Sequence, residues 1–289
     1  MVFKRLWGKG GDSGGIPLMV DTVIPDEPAL PGGLLRGEVV LRAPERDVQV
    51  RVVRVKLVAN TSPALGKNAD VDTESGYVFS LFLGTGTHTV EKGGERRASF
   101  EYRLKWETPV SEVHGKRLDG VRLAAYTEVE ADGIEERTDS DPLRVGATPL
   151  HEAVLDAFAA AGYACGSAQI DELGDIPRAE RHFTLRQSFR LVDTLAVSRS
   201  DRPQHLEVTF HANAVGCEIF VRKAALFQKR WNEKPPCAYA TAAHHEVGHV
   251  DFEAKVRQWI DEVAALPEKR EDPRLAQYDL GRPSVWWET

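Results

Sequence analysis

Two strings in the chain have the residue types and spacing of hydrolytic machinery. His245-Glu246-Val247-Gly248-His249 puts two imidazoles four residues apart around a carboxylate. On a helix both rings would share one face, ready for Zn²⁺, with Glu246 beside the bound water as base. Gly11-Asp12-Ser13-Gly14-Gly15 matches the surroundings of a serine-protease nucleophile. That chemistry needs histidine and aspartate ahead of the serine in the chymotrypsin order, yet no histidine precedes His88. The second string therefore reads as a Gly-rich leader.

The first string is tested by phase. On a continuous helix Phe252, Val256, Trp259, Ile260 and Val263 gather on one stripe, while Val247 and Val250 fall away from it. With Gly248 inside the string and Asp251 placed to cap, the helix is expected to begin near Asp251, leaving His245 to His249 ahead of it. No metal, cofactor or catalytic residue is then expected. The rival is a zinc-dependent hydrolase using His245, Glu246 and His249, with Glu262 or Glu268 as third ligand. Gly84-Thr85-Gly86 is a lone Gly-x-Gly without a phosphate-binding helix behind it, and it reads as a hairpin turn.

Composition narrows the partners. The 289 residues carry 37 Lys and Arg against 44 Asp and Glu, a formal charge of −7, so no nucleic acid is expected as a partner. Three cysteines, Cys165, Cys217 and Cys237, stand without Cys-x-x-Cys spacing; they read as small buried hydrophobes rather than a disulfide framework or a zinc knuckle. No run approaches the ~20 apolar residues of a membrane span, and Met1 to Gly10 lacks a signal-peptide core. A cytoplasmic protein is expected. Phe3, Leu6 and Trp7 among basic neighbours offer a weak membrane-surface contact, the basis of a third reading as a membrane-surface adaptor.

The elements that must position these residues come from periodicity. Up to about residue 146 the chain alternates short apolar runs with Pro, Gly and charge clusters, predicting strands near 18–23, 35–41, 48–58, 77–83, 87–91, 98–106 and 121–129. A one-residue slip of phase at Val52-Val53 predicts a bulge. Thr148 and Pro149 then have the chemistry of a helix cap and first turn, with Leu150, Val154, Leu155, Phe158 and Ala161 at helical spacing and Gly162 as the stop. Further strands are expected near 165–173, 181–192, 205–213 and 217–223, with one more after Pro235-Pro236.

The expected fold is therefore mainly β: two antiparallel β-sandwich domains with a linker helix and a C-terminal helix. The expected boundaries are 1–146 with a leader at 1–16, 147–266 with helices at 149–161 and 251–265, and a tail at 267–289. Trp286 and Trp287 in that tail are weak partner-binding candidates.

Val20-Asp21-Thr22, Leu30-Pro31-Gly32-Gly33 and Arg36-Gly37-Glu38-Val39 resemble the opening of arrestin-like sandwiches. Leu104-Lys105-Trp106-Glu107-Thr108-Pro109-Val110, followed by Gly115-x-x-Leu118, Thr127-Glu128-Val129 and Asp139 to Leu143, resembles the SpoOM family of sporulation-control proteins. Pro149-Leu150 through Tyr163 and Leu206 to Phe210 are similar to that family's second half. The resemblance spans roughly 17–225 and implies an arrestin-like N-terminal sandwich. It also implies a non-enzymatic, cytoplasmic regulatory role in sporulation or cell development, exercised through other proteins. It supplies no catalytic residue to carry over.

Overall fold

The structure is a computed structural model and describes residues 17–60, 75–172, 185–195, 202–224 and 237–267. In chain order the first half contains β1 (Met19–Val23), β2 (Leu34–Arg42), β3 (Val48–Asn60), β4 (Ser75–Val90), β5 (Glu95–Arg103), β6 (Glu112–Val113), β7 (Lys116–Arg117), β8 (Leu123–Ala131) and β9 (Arg137–Leu143). The second half adds α1 (Pro149–Ala160), β10 (Tyr163–Glu172), β11 (Leu185–Asp193), β12 (His205–Ala212), β13 (Gly216–Lys223), β14 (Cys237–Ala243) and α2 (Phe252–Ala265). The mainly β class with antiparallel sheets is as the alternation predicts.

Two sheets face each other in the first half, one ordered β1-β2-β5 and the other β4-β3-β8-β9. Alternation decides what lies between them: Val39 and Leu41 of β2, Phe100 of β5, Val53, Val55 and Leu57 of β3, and Leu123, Ala125 and Val129 of β8 are all buried. The β1 and β9 side of this sandwich is sealed by side chains. Asp139 accepts from the Thr22 amide at 2.6 Å, and the Thr22 and Thr127 hydroxyls lie 2.6 Å apart.

The predicted bulge is present, with register against both β4 and β8 shifting between Val50 and Val52. Gly84-Thr85-Gly86 corrects its reading. It lies inside the 16-residue β4 rather than at a hairpin turn, and Gly86 takes φ +131° where the β3 ladder slips. Glycine there lets the strand absorb extra residues and continue.

The second half is a five-stranded meander in the order β10-β11-β12-β13-β14. Among the described residues two helices pack on it: α1 on β10 and α2, and α2 on β13 and β14. Thr148 caps α1 and Pro149 occupies its first position, as the sequence indicates; the helix ends at Ala160, and Gly162 turns the chain at φ +91°. Phe252, Val256, Trp259, Ile260 and Val263 form the buried stripe of α2. The apolar core runs unbroken from Leu18 to Val263 through both halves. Among the described residues no helix is long and apolar enough to cross a membrane.

Candidate functional site

The His-Glu-x-x-His string does not form a helix. His244–Glu246 is a single 3-10 turn, and Gly248 at φ +80° reverses the chain before Asp251, whose carboxylate accepts from the Ala254 amide at 3.0 Å and caps α2. Glu246 is consumed by structure: it accepts from the Ala243 amide at 2.9 Å and pairs with Lys255 at 3.0 Å. Those two contacts, the amide first, hold its carboxyl below the usual range. His245 and His249 are exposed and stand on a turn rather than on one helix face. The zinc-hydrolase reading thus lacks the element that would converge its ligands. Among the described residues no three His, Cys, Asp or Glu side chains form a metal-binding group. Burial pushes the Cys165 thiol to about 11 and the Cys217 thiol to about 12, which keeps both as neutral thiols near neutral pH. Trp286, Trp287, Phe3, Leu6, Trp7 and the Gly11 to Gly15 string lie outside the described residues.

What the fold brings together is a seam between the halves, built around Leu104 to Val110. Trp106 covers Gly32, where a Cβ would stand 2.6 Å from the indole, and its ring lies 4.9 Å from that of His244. Any side chain at Gly32, already at φ +76°, would expel the tryptophan. His244 is held by its own amide on Val215 O and by its ring on Asn213 O, each at 2.9 Å. Val110 makes a two-way clamp with Gln187 of β11: its amide donates to Oε1 at 2.8 Å, and Nε2 donates to its carbonyl at 2.6 Å.

Polar side chains continue the seam. His211 of β12 lies between two carboxylates, Glu107 Oε1 at 3.8 Å from Nε2 and Glu218 Oε2 at 3.3 Å from Nδ1. Tyr239 donates to the other oxygen of Glu218 at 2.6 Å. On the linker side His151 is buried at the first turn of α1. Its Nδ1 accepts from the Thr148 amide at 3.3 Å and lies 2.8 Å from the Thr148 hydroxyl, and its ring meets Phe210 edge-on at 4.6 Å. Burial, and then the neighbouring His244, pull the His151 imidazole down to about 4. Glu112, 2% exposed, grips Arg144 through two hydrogen bonds at 2.9 and 3.2 Å, and Arg144 also donates to Asp26 O, so the approach to α1 is tied to the first half.

None of the seam residues entered the candidate set read from sequence. The signal was available in part: Trp106 and Glu107 stand in the string that carries the family resemblance, in a loop where a tryptophan needs a partner to be buried. His151, His211 and His244 gave none, because a histidine acquires its role from neighbours distant in sequence. The arrangement positions and couples two bodies; within it His211 Nε2 and Glu107 Oε2 are buried without a hydrogen bond, 3.8 Å separating the ring nitrogen from the other Glu107 oxygen.

Comparison with known proteins agrees with this architecture. The family model described as SpoOM protein matches residues 3–223. The sporulation-control protein spo0M of Bacillus subtilis (strain 168) is 26% identical over 234 residues, 80% of this chain and 84% of the relative. The crystal structure of Spo0M, sporulation control protein, from Bacillus subtilis aligns with a TM-score of 0.70 at 20% identity, covering 86% of this chain and 99% of that one, which shows a shared fold. A match through both sheets of the first half and on to the end of β13 settles the lineage: the chain belongs to the SpoOM protein family.

Proposed function

We propose that this protein is a non-enzymatic regulator in sporulation or cell development, acting in the cytoplasm by binding other proteins. One observation carries the reading: the family match to residues 3–223 takes in most of the seam, from Gly32 and Trp106 to Glu218, with only His244 and Tyr239 beyond it, and a relative is named for sporulation control. The side chains that could do chemistry are spent on capping, clamping and pairing, which suits a scaffold that presents surfaces. We take 1–146, arrestin-like in kind, and 147–266 as its two domains. A sandwich of this kind binds partners through sheet edges and exposed loops.

The test is complementation. Expressed in a Bacillus subtilis strain 168 derivative lacking spo0M, this chain is expected to restore heat-resistant spore counts, and Glu246→Gln is expected to restore them equally. Failure of a stably accumulated protein to complement would end the regulatory reading. Loss of complementation in Glu246→Gln alone, with one bound zinc per chain, would return the hydrolase.

A further inference from the structure

Sheet edges are open rows of amides and carbonyls, and proteins block them unless they are used. Among the described residues five edge strands carry a blocking device. β1 is five residues long, and its Thr22 amide is held by Asp139. β9 contains Pro142 and carries Asp139 on its sandwich-facing side, turned to β1. β10 has a register shift between Cys165 and Ser167 and is bridged by Asp119, which donates to Gly166 O and accepts from Ala168 N. β4 slips register three times. On β14 the Ala243 amide is capped by Glu246, and Cys237 and Tyr239 have partners.

β5 is neither short nor bulged, has no proline and, among the described residues, no side chain capping its outward amides; what its edge carries is charge of both signs. It pairs with β2 over nine residues in one unbroken register. Among the described residues its other side has no strand beside it. The parity of its hydrogen bonds is fixed at both ends: Leu104 N donates to Gly33 O at 2.8 Å, and Ala43 N donates to Gly94 O at 3.3 Å. Even-numbered residues therefore turn their amides toward β2, and Glu95, Arg97, Ser99, Glu101 and Arg103 turn theirs outward. The side chains of the same five residues share the outer face of the sheet and are exposed.

We propose that this edge pairs with β5 of a second copy of the chain, antiparallel about a two-fold axis at Ser99, joining two three-stranded sheets into one. Charge argues for the second copy. In this register Glu95 meets Arg103 of the other chain, Arg97 meets Glu101, and Ser99 meets Ser99, so each carboxylate on the edge faces a guanidinium. On the opposite face Arg96 meets Tyr102 and Ala98 meets Phe100, a cation beside an aromatic ring and a small residue beside a large one. The register that matches charge also matches hydrogen bonding, because odd residues pair with odd residues and every outward amide finds an outward carbonyl. A slip by one residue would break both. Within each chain Glu101 is already paired with Arg36 at 2.7 Å, Glu95 with Arg42 at 2.6 Å and Arg97 with Glu38 at 2.7 Å, so the cross-copy pairs extend a charge ladder held in place by β2.

The pairing is independent of the regulatory reading and is tested separately, by sedimentation over a concentration series with the full chain. A monomer–dimer equilibrium is expected. Ser99→Pro removes an amide that does not bond β2, so the fold is kept while the dissociation constant rises at least about tenfold; circular dichroism and the melting temperature check that the fold is intact. In a charge swap, a chain with Glu95→Arg and Glu101→Arg and a chain with Arg97→Glu and Arg103→Glu are each expected to be monomeric alone and to form a heterodimer when mixed. Hydrogen exchange supplies the third readout: amides 95, 97, 99, 101 and 103 gain protection as concentration rises. A monomer at all concentrations up to about 100 µM, a dimer unaffected by Ser99→Pro in the folded protein, or concentration-independent protection of those amides, which would place another segment of the same chain on the edge, would each overturn the proposal.

Discussion

Glu246, from the His-Glu-x-x-His string, and His151, at the seam, both hold local structure, and each makes a measurable prediction. His151 is buried as the neutral ring, with Nδ1 accepting from Thr148. Its folded value of about 4 lies below the 6.5 of an unperturbed histidine, so the unfolded chain takes up the proton first. Its contribution to stability is therefore complete above about pH 6.5 and is lost as pH falls toward 4, by about 3 kcal/mol in all. Urea midpoints at pH 7 and pH 4.5 should show this loss, and His151→Gln should abolish most of the pH dependence. Glu246→Ala removes a cap on the Ala243 amide and a half-buried partner of Lys255, and should lower stability by about 1 kcal/mol. Denaturant titration checks it. A change of hydrolytic activity or of zinc content is not expected.

At the scale of elements, hairpins and helix contacts hold the second half. The β12–β13 hairpin closes through Gly216, where a Cβ would come within 2.1 Å of Ala242 O, a backbone atom of β14 that cannot move aside. Gly216→Ala should cost about 2 kcal/mol or more by parting β13 from β14, seen as a lower melting temperature and faster exchange of β14 amides. The Val215 side chain beside it is 73% exposed, and Val215→Ser should be neutral within about 0.5 kcal/mol. The two helices meet through Phe158 and Trp259, whose rings are 6.5 Å apart. Trp259→Ala should cost about 3–5 kcal/mol, because neither helix can collapse far into the space without leaving the sheet.

For the whole molecule, the halves should unfold together. The core is continuous, and the seam adds the Val110–Gln187 clamp and the Trp106–His244 stack. Calorimetry of the native chain should give a single cooperative transition. Gln187→Ala combined with Trp106→Ala should separate it into two, with the five-stranded sheet melting first because it loses its cover at the hairpin end. A single transition in the double variant would show that the apolar core alone couples the halves. With a net charge of −7 spread over such a body, association requires a local arrangement of charge, and the β5 edge supplies one.

Residue order alone determined what depends on neighbours in the chain. Alternation located most of the strands but missed β9, whose alternate positions are polar and which contains Pro142; the phase slip at Val52-Val53 located the bulge. The misplaced phase of Val247 and Val250, with Asp251 able to cap, located the start of α2 and removed the metal helix. Each is decided by steric and hydrogen-bonding rules acting over a turn or two. Gly84-Thr85-Gly86 shows where that range ends: two glycines signal a turn locally, yet pairing with β3 drew the segment into a 16-residue strand. The seam and the packing of helices on the second sheet belong to tertiary structure as well. Glu107 and His211 meet across about a hundred residues, and Trp106 and His244 across still more. Their burial and partners exist only once the core has paid the entropy of bringing those segments together.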